Sequence, residues 1–341
     1  MIQDELIATA KALVADHKGL LAMDESTGTC NKRFAEFDIP QTEEMRRKYR
    51  ELIVTTSGLN QSISGAILFD ETIRQQQLDG TPFIKILIDA GIIPGIKLDL
   101  GAKPLAGFPG EKVTEGLDGL RKRLVEYKEM GARFAKWRAV INIGDGLPTA
   151  GGILANAHAL ARYAGLCQEV GLVPIVEPEV LMDGDHSLQH CLTVTSEVLH
   201  IVFEALYSQR ILLDGMLLKP NMILPGLEAK VQESVDEVAE ATVKCLLNNV
   251  PATVPGIAFL SGGQSAELAT ERLNAMHKKY KADLPWALTF SYGRALQQPA
   301  LEIWRGDDAN KEAAQQALIH RAKLNRAACM GIYTSEMEKA N

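Results

Sequence analysis

The sequence has few cysteines, and none of them are closely spaced. The five cysteines are Cys30, Cys167, Cys191, Cys245 and Cys329. Their number is odd, and no two of them form a Cys-x-x-Cys pair. Disulfide scaffolds and structural zinc sites use closely spaced or evenly numbered cysteines. The sequence therefore argues against both and predicts reduced thiols in a cytoplasmic protein.

Excess positive charge and long apolar runs are also missing. The net charge of −7 and the isoelectric point near 5.6 argue against a general nucleic-acid binder. No stretch approaches the roughly 18 uninterrupted apolar residues that a membrane span needs. Residues 1–18 carry acidic side chains in an amphipathic pattern, which predicts a helix at about 2–17 and not a secretory signal. We expect no nucleic-acid and no membrane partner.

The glycine-rich turn of dinucleotide-binding proteins is absent as well. The first predicted strand, residues 19–24, is followed by Glu-Ser-Thr-Gly and not by Gly-x-Gly-x-x-Gly. The glycines at 144–146 and 151–152 lack the required strand and spacing. An open doubly wound sheet is therefore the weaker of two possible architectures.

The sequence does contain a regular alternation of short apolar segments and helical patterns. The predicted strands are residues 19–24, 64–70, 93–99, 134–139, 173–179, 215–219, 257–261 and 286–291. The predicted helices after the first strand are 42–54, 82–90, 114–130, 149–170, 187–207, 231–247, 266–280 and 310–330. Such an order predicts an α/β protein of parallel βα units, closed into a (β/α)8 TIM barrel. We expect a single domain, 1–341, with an N-terminal helix and a C-terminal helix at about 310–330.

Lys219 ends the sixth predicted strand. The segment 217–221 reads Leu-Leu-Lys-Pro-Asn, and Pro220 stops the strand because proline cannot donate to a sheet. Partial desolvation would lower the pKa of Lys219 towards the free amine that attacks carbonyl groups. The alternative is a lysine that merely leaves the strand end for solvent.

Further charged residues stand at the ends of the predicted strands, where barrel enzymes collect catalytic groups. They are Asp24, Lys97 with Asp99, Lys136 with Arg138, and Glu177 with Glu179. Residues two apart in a strand face the same side. This set fits iminium chemistry, in which Lys219 condenses with a ketone, Lys136 adds a second positive charge and the carboxylates transfer protons. A structural salt-bridge network is the alternative.

Two glycine-containing turns follow the seventh and eighth predicted strands. Residues 260–265 read Leu-Ser-Gly-Gly-Gln-Ser, and residues 291–294 read Ser-Tyr-Gly-Arg. Barrels commonly bind phosphate there, through backbone N–H groups and helix N-termini. Arg33, after the first strand, is a candidate to clamp a second phosphate across the mouth.

These segments resemble class I fructose-1,6-bisphosphate aldolases, which use a lysine and no metal. The matches include Ala-Met-Asp-Glu-Ser-Thr-Gly at 22–28, Phe-Ala-Lys-Trp-Arg at 134–138, Ile-Val-Glu-Pro-Glu at 175–179, and the segments 217–221, 259–265 and 290–294. They run in order from the first strand to the last, so the resemblance covers nearly the whole chain. It implies reversible cleavage of fructose 1,6-bisphosphate to dihydroxyacetone phosphate and glyceraldehyde 3-phosphate without a cofactor, in a homotetramer.

The resemblance also implies individual roles. Lys219 would form the Schiff base, and Glu177, with Glu179 beside it, would be the acid for dehydration. Asp24 and Lys136 would assist carbinolamine formation and bond cleavage. The implied substrate contacts are Lys97, Trp137, Arg138 and, for one phosphate, Arg33. For the phosphate of the ketone half they are Ser261, Gly262, Gly263, Ser291, Gly293 and Arg294.

The C-terminal sequence departs from the family pattern. Animal and plant members end in a flexible tail whose terminal tyrosine aids proton transfer to the enamine. Here the last tyrosine is Tyr333, and residues 339–341 read Lys-Ala-Asn. We expect this proton transfer to depend on Glu177 or on water.

Three other interpretations remain open. His186 and His190, four residues apart, would be metal ligands if they shared a helix face, although a capped helix start fits this segment better. The same Schiff-base chemistry would also serve sedoheptulose 1,7-bisphosphate or fructose 1-phosphate as preferred substrate. The third is a non-catalytic barrel that acts as a scaffold.

Overall fold

Eight parallel strands form a closed barrel in the computed structural model, which describes residues 2–339. The strands are β1 Gly19–Met23, β2 Ile63–Leu68, β3 Ile93–Lys97, β4 Phe134–Ile141, β5 Val173–Val180, β6 Leu217–Leu218, β7 Gly256–Phe259 and β8 Ala287–Tyr292. Each pairs with the next along the chain, and β8 pairs with β1. The predicted (β/α)8 barrel is therefore confirmed, and each predicted strand overlaps one of these eight.

Helices surround the barrel. They are α1 Ile2–Leu13, α2 Thr27–Ala35, α3 Glu43–Val54, α4 Asp70–Arg74, α5 Phe83–Asp89, α6 Leu120–Met130, α7 Ala150–Glu169, α8 Leu188–Ser208, α9 Val235–Asn249, α10 Ala266–Tyr280, α11 Arg294–Trp304 and α12 Lys311–Met330. Short 3-10 turns lie at Ala15–His17, Leu59–Gln61, Leu213–Gly215, Lys281–Asp283, Asp308–Asn310 and Ser335–Lys339. Within residues 2–339, no helix combines the length and the apolar character needed to cross a membrane.

Side-chain caps fix where several helices begin. The caps are Thr42, Thr149, Ser187, Ser234 and Ser265, and each accepts a hydrogen bond from the backbone N–H three residues later. Such bonds satisfy donors that a helix start leaves unpaired. The predicted start at 231 is wrong because the Ser234 cap, reinforced by Glu237 in a capping box, begins α9 at Val235.

The predicted helix at 114–130 also begins too early. α6 starts at Leu120, because Lys112–Thr114 pairs with Ala102–Pro104 as a small antiparallel hairpin between β3 and β4. The Thr114 hydroxyl donates to the carbonyl of Arg138 at 2.7 Å, which ties this hairpin to β4. The sequence prediction also lacks α2, which is mostly polar, α4, which has five residues, and α11, which contains a proline.

The N-terminal helix closes the bottom of the barrel. The prediction extended it to about residue 17, but α1 ends at Leu13 and a 3-10 turn follows. Its buried side chains, Leu6, Ala10 and Leu13, pack with the lower barrel interior, formed by Leu20, Ile67, Phe134, Val173, Ile175, Leu217 and Ala258. Gly65 is needed for this approach, since a Cβ there would lie 2.7 Å from Leu13 Cδ2. The N-terminal helix α1 therefore covers this end of the barrel interior.

Candidate active site

A cavity of about 950 Å³ opens at the carboxyl ends of the barrel strands. It is lined by all but one of the residues predicted for the site: Asp24, Arg33, Lys97, Lys136, Arg138, Glu177, Glu179, Lys219, Ser261, Gly262, Gly263, Ser291, Gly293 and Arg294. Since the strands are parallel, their last residues meet at one edge of the barrel. The fold thus brings these side chains together from all parts of the sequence.

Lys219 follows β6 directly and is held by its neighbours. β6 has only two residues, because the 3-10 turn Leu213–Gly215 delays its start. The backbone N–H of Lys219 donates to the carbonyl of Val176 at 2.8 Å, and Leu260 N–H donates to the carbonyl of Pro220 at 3.1 Å. The side chain is 4% exposed. Lys219 therefore points into the barrel and does not leave for solvent.

Four side chains form a continuous chain of charges across the cavity. Lys219 Nζ lies 3.0 Å from Glu177 Oε1. The other oxygen of Glu177 lies 3.1 Å from Lys136 Nζ, and Lys136 Nζ lies 2.7 Å from Asp24 Oδ2. Glu177 thus contacts both lysines, and Lys136 contacts both carboxylates.

Strand register explains why these groups meet. Arg138 on β4 stands opposite Glu177 on β5, and Lys97 on β3 stands opposite Lys136 on β4. Residues separated by two point to the same side, so the inward residues of neighbouring strands form layers. Around the central chain, Lys97 pairs with Asp99 at 2.7 Å, and Arg138 pairs with Glu179. These outer pairs complete a charged layer at the barrel mouth.

The chain of charges shifts the pKa values of its members. Burial would raise the pKa of Asp24, but the positive charges of Lys136 and Lys219 outweigh it and lower this pKa to about 2. Burial likewise opposes ionisation of Glu177, yet the same lysines hold its pKa below the ordinary value. Burial would lower the pKa of Lys136, but the charges of Asp24 and Glu177 raise it. Near neutral pH both carboxylates are ionised and Lys136 is a cation.

The turn after β7 and the end of β8 form a pole of the cavity suited to an anion. Gly262 and Gly263 have φ values of 59° and 92°, in the left-handed region that favours glycine. The buried Ser291 hydroxyl finds no hydrogen-bond partner within residues 2–339. Arg294 begins α11 beside it. Backbone N–H groups, a hydroxyl and a guanidinium thus line this part of the cavity, and such donors recognise phosphate.

Arg33 lines the cavity, but its guanidinium is already engaged. It pairs with Glu25 and donates to Gln298 Oε1 at 3.4 Å, and Glu25 also pairs with Arg50 at 2.8 Å. The sequence reasoning missed Glu25 and Arg50, although Glu25 directly follows Asp24. An arginine paired in this way offers less free charge to a phosphate than the predicted clamp assumed.

Trp137 is the one predicted site residue that does not line the cavity. It lies between the inward residues Lys136 and Arg138 on β4, so strand alternation turns it outward. It is fully buried and packs on Tyr163 of α7, with ring centroids 5.5 Å apart. The expectation that Trp137 lines the site is therefore wrong, and its contacts are those of the core between barrel and helices.

The two-histidine alternative does not form. α8 begins at Leu188, after His186, so His186 and His190 do not share a helix face. Ser187 caps this helix by accepting from the N–H of His190 at 3.2 Å. Within the described residues, no three His, Cys, Asp or Glu side chains are grouped in a way that would hold a metal ion.

Tyr333 does not line the cavity. Its ring is buried, its N–H donates to Asn274, and its hydroxyl donates to Glu338 at 2.8 Å. The expectation about the C-terminal tail falls partly on Ala340 and Asn341, which lie outside the described residues. Tyr333 thus contributes no group to the charge chain.

The chain is similar to known proteins in sequence and in fold. The sequence model of a family described as "Fructose-bisphosphate aldolase class-I" matches residues 5–341. A Xanthomonas campestris protein named "Probable fructose-bisphosphate aldolase class 1" is 59% identical over 329 residues, which are 96% of this chain and 98% of that one. "Fructose-bisphosphate aldolase 6, cytosolic" of Arabidopsis thaliana is 52% identical over 98% of this chain and 92% of that one. A solved structure of the Plasmodium falciparum fructose-bisphosphate aldolase has a TM-score of 0.96 at 47% identity, covering 98% of this chain and 96% of that one.

Proposed function

The chain belongs to the class-I fructose-bisphosphate aldolase family, and on that premise we propose Lys219 as its Schiff-base lysine. The reaction is the reversible, metal-independent cleavage of fructose 1,6-bisphosphate into dihydroxyacetone phosphate and glyceraldehyde 3-phosphate. The assignment of Lys219 rests on one observation. Lys219 Nζ lies 3.0 Å from Glu177, a carboxylate that a second lysine also contacts.

Schiff-base formation requires the free amine of Lys219. Glu177 Oε1 accepts the ammonium proton across the 3.0 Å contact. The amine attacks C2 of the open-chain ketose, a C–N bond forms, and the surplus proton on nitrogen moves to the former carbonyl oxygen. Glu177 then returns its proton to this hydroxyl, which leaves as water when the C–O bond breaks. The product is an iminium ion on Lys219, and Glu177 is again a carboxylate.

Carbon–carbon cleavage uses this iminium ion as an electron sink. The electron pair of the C3–C4 bond moves into it, which gives an enamine on Lys219 and releases the aldehyde. The C4 hydroxyl proton passes to Glu177, the carboxylate in contact with Lys219. Lys136, held as a cation by Asp24 at 2.7 Å, stabilises the negative charge that develops on the C4 oxygen. Protonation of the enamine carbon and hydrolysis of the iminium ion then free the second product.

The two substrate phosphates are assigned to two poles of the cavity. The 261–263 turn, Ser291 and Arg294 would hold the phosphate of the ketone half. Arg33 and Lys32 line the other pole. Because Glu25 partly compensates Arg33, the exposed Lys32, which makes no ion pair within residues 2–339, supplies the free positive charge there.

Steady-state cleavage assays test this function. We expect cleavage of fructose 1,6-bisphosphate that excess EDTA does not reduce. The value of kcat/KM for fructose 1-phosphate should be lower, because the contacts at the Lys32 pole are lost. A higher value for sedoheptulose 1,7-bisphosphate would reassign the preferred substrate, and no cleavage of any of the three would favour the scaffold alternative.

Assembly and location are proposals of the same kind. We infer that the chain is one domain that forms a homotetramer in the cytoplasm. The tetramer is typical of this family, and the Arabidopsis relative is named as cytosolic. Light scattering should give a mass near four times 37.2 kDa, and a monomeric mass would overturn the tetramer.

A further inference from the structure

Arg272, on α10, is a buried arginine without an ion-pair partner. The other buried arginines, Arg33, Arg46, Arg50 and Arg321, each lie within 4 Å of a glutamate. Arg272 is only 6% exposed, but no carboxylate within residues 2–339 comes that close to it. Burial lowers the pKa of its guanidinium, with a partial offset from the charge of Glu271. An uncompensated buried cation is costly, so the presence of Arg272 here calls for a physical reason.

Arg272 contacts the turn after β7 through the side chain of Gln264. Its Nη1 donates to Gln264 Oε1 at 2.8 Å. Gln264 Nε2 in turn donates to the carbonyl of Ser261 at 3.0 Å. A guanidinium can only donate hydrogen bonds, so Gln264 must turn its oxygen to Arg272 and its NH2 group to Ser261. Arg272 thereby fixes the orientation of the Gln264 amide.

This orientation determines where the turn points its donors. The Ser261 carbonyl accepts from both the side chain and the backbone N–H of Gln264, each at 3.0 Å. In a planar trans peptide the C=O and the next N–H point in opposite directions. Holding the Ser261 carbonyl against Gln264 therefore turns the Gly262 N–H the other way. Within residues 2–339 no acceptor pairs with the N–H of Gly262 or Gly263, and both glycines line the cavity.

We propose that Arg272 is a positioning residue for substrate phosphate. Through Gln264 it holds the 261–264 turn with free N–H groups directed into the cavity, and its unpaired charge adds to the attraction for a phosphate dianion. The proposal rests on the proposed function, in which this turn binds the phosphate of the ketone half. Arg272 itself does not line the cavity, so its effect is transmitted by Gln264 and by its charge.

Arg272→Gln, with inorganic phosphate as a competitive inhibitor, tests the proposal. We expect KM for fructose 1,6-bisphosphate and the inhibition constant of phosphate to rise about tenfold, with kcat within about twofold of wild type. Arg272→Lys keeps the charge without the planar fork and should give an intermediate rise. Lys278→Gln, at the exposed end of the same helix, is the matched control and should leave both constants unchanged.

Gln264→Glu gives a second route that keeps Arg272 in place. The new carboxylate pairs with Arg272 but cannot donate to the Ser261 carbonyl, so the same two constants should rise. If the wild-type enzyme cleaves the substrate and both variants keep wild-type values of the two constants, the role of Arg272 is overturned. The proposed function would then still stand. Absence of cleavage by the wild-type protein would instead overturn the proposed function.

Discussion

The two ends of the barrel interior differ in chemistry although the same strands build both. At the bottom, α1 presses Leu6, Ala10 and Leu13 against apolar side chains of the strands. At the mouth, about two residues further along the same strands, the inward positions carry Lys136, Glu177 and other charges. Burial at the bottom contributes to the free energy of folding at about 25 cal/mol per Å² of apolar surface.

Taken together, the charges of the mouth add little net stability, although removing a single member leaves its partner unpaired and is costly. Buried ion pairs repay their desolvation only partly, and replacing them with apolar residues is often neutral or stabilising. Their value in the mouth is chemical, because Glu177 can exchange a proton with Lys219 at 3.0 Å. The bottom therefore maintains the barrel, whereas the mouth is arranged for proton transfer. Variants at the two ends should therefore lose different properties.

Lys219→Met should have the largest effect on activity. The methionine fills similar space but removes the nucleophilic nitrogen, so kcat for fructose 1,6-bisphosphate should fall by about 10⁴-fold or more. Lys97→Met removes a neighbouring cation that pairs with Asp99 and should cause a smaller loss. Equal losses in both variants would mean that Lys219 acts only as one charge among several.

Glu177→Gln should have the second-largest effect on activity. The amide keeps the size of the side chain but cannot accept and return the proton, so kcat should fall by about 10²–10⁴-fold. Glu179→Gln is the matched control, because its carboxylate pairs with Arg138 and not with a lysine of the central chain. Stopped-flow measurement of Schiff-base formation should show the defect in Glu177→Gln alone. An unimpaired rate would remove Glu177 from the dehydration step.

Leu13→Ala tests the bottom of the barrel. Leu13 is fully buried, so the free energy of unfolding should fall by about 2–5 kcal/mol, while kcat per folded molecule stays at the wild-type value. Leu154→Ala makes the same change at a side chain that is 57% exposed and should cost less than about 0.5 kcal/mol. A large loss of kcat in folded Leu13→Ala would break the division between the two ends.

Asp24→Asn should give the smallest effect, and one that depends on pH. The pKa of Asp24 falls from 3.8 to about 2 on folding, which corresponds to about 2 kcal/mol. A lowered pKa stabilises the protein above pH 4, and this contribution is lost as the pH falls to about 2. In urea unfolding, Asp24→Asn should therefore be about 2 kcal/mol less stable than wild type at pH 7 and equal to it near pH 2. A stability difference between variant and wild type that stays constant from pH 7 to pH 2 would contradict the ion pair assigned to Asp24 and Lys136.

Much of the barrel follows from local patterns in the sequence. Each strand is a short apolar run, and caps such as Thr149 and Ser187 mark helix starts. The sequence predictions of helices fail where tertiary contacts determine the local structure. Residues 112–114 pair with a strand ten residues earlier, and α11 forms despite Pro299 because its apolar face, with Leu296 and Trp304, is buried against its neighbours.

The site, too, can be predicted from the sequence only as far as local patterns determine it. Period-two alternation places Lys136 and Arg138 in the mouth, and applied strictly it also turns Trp137 away. Which carboxylate contacts which lysine depends on register between strands distant in sequence, such as Arg138 opposite Glu177. The pairing of Arg33 with Glu25, and the link from Arg272 to the 261–264 turn, lie in side-chain packing that no sequence pattern reports.

Trapping the Schiff base tests the central claim most directly. Incubation with dihydroxyacetone phosphate and sodium borohydride, followed by peptide mass mapping, should place one reduced adduct on Lys219. The adduct should be lost in Lys219→Met and retained in Lys97→Met. An adduct on Lys136 or Lys97, or cleavage activity without any trapped adduct, would contradict the assignment of Lys219 as the nucleophile.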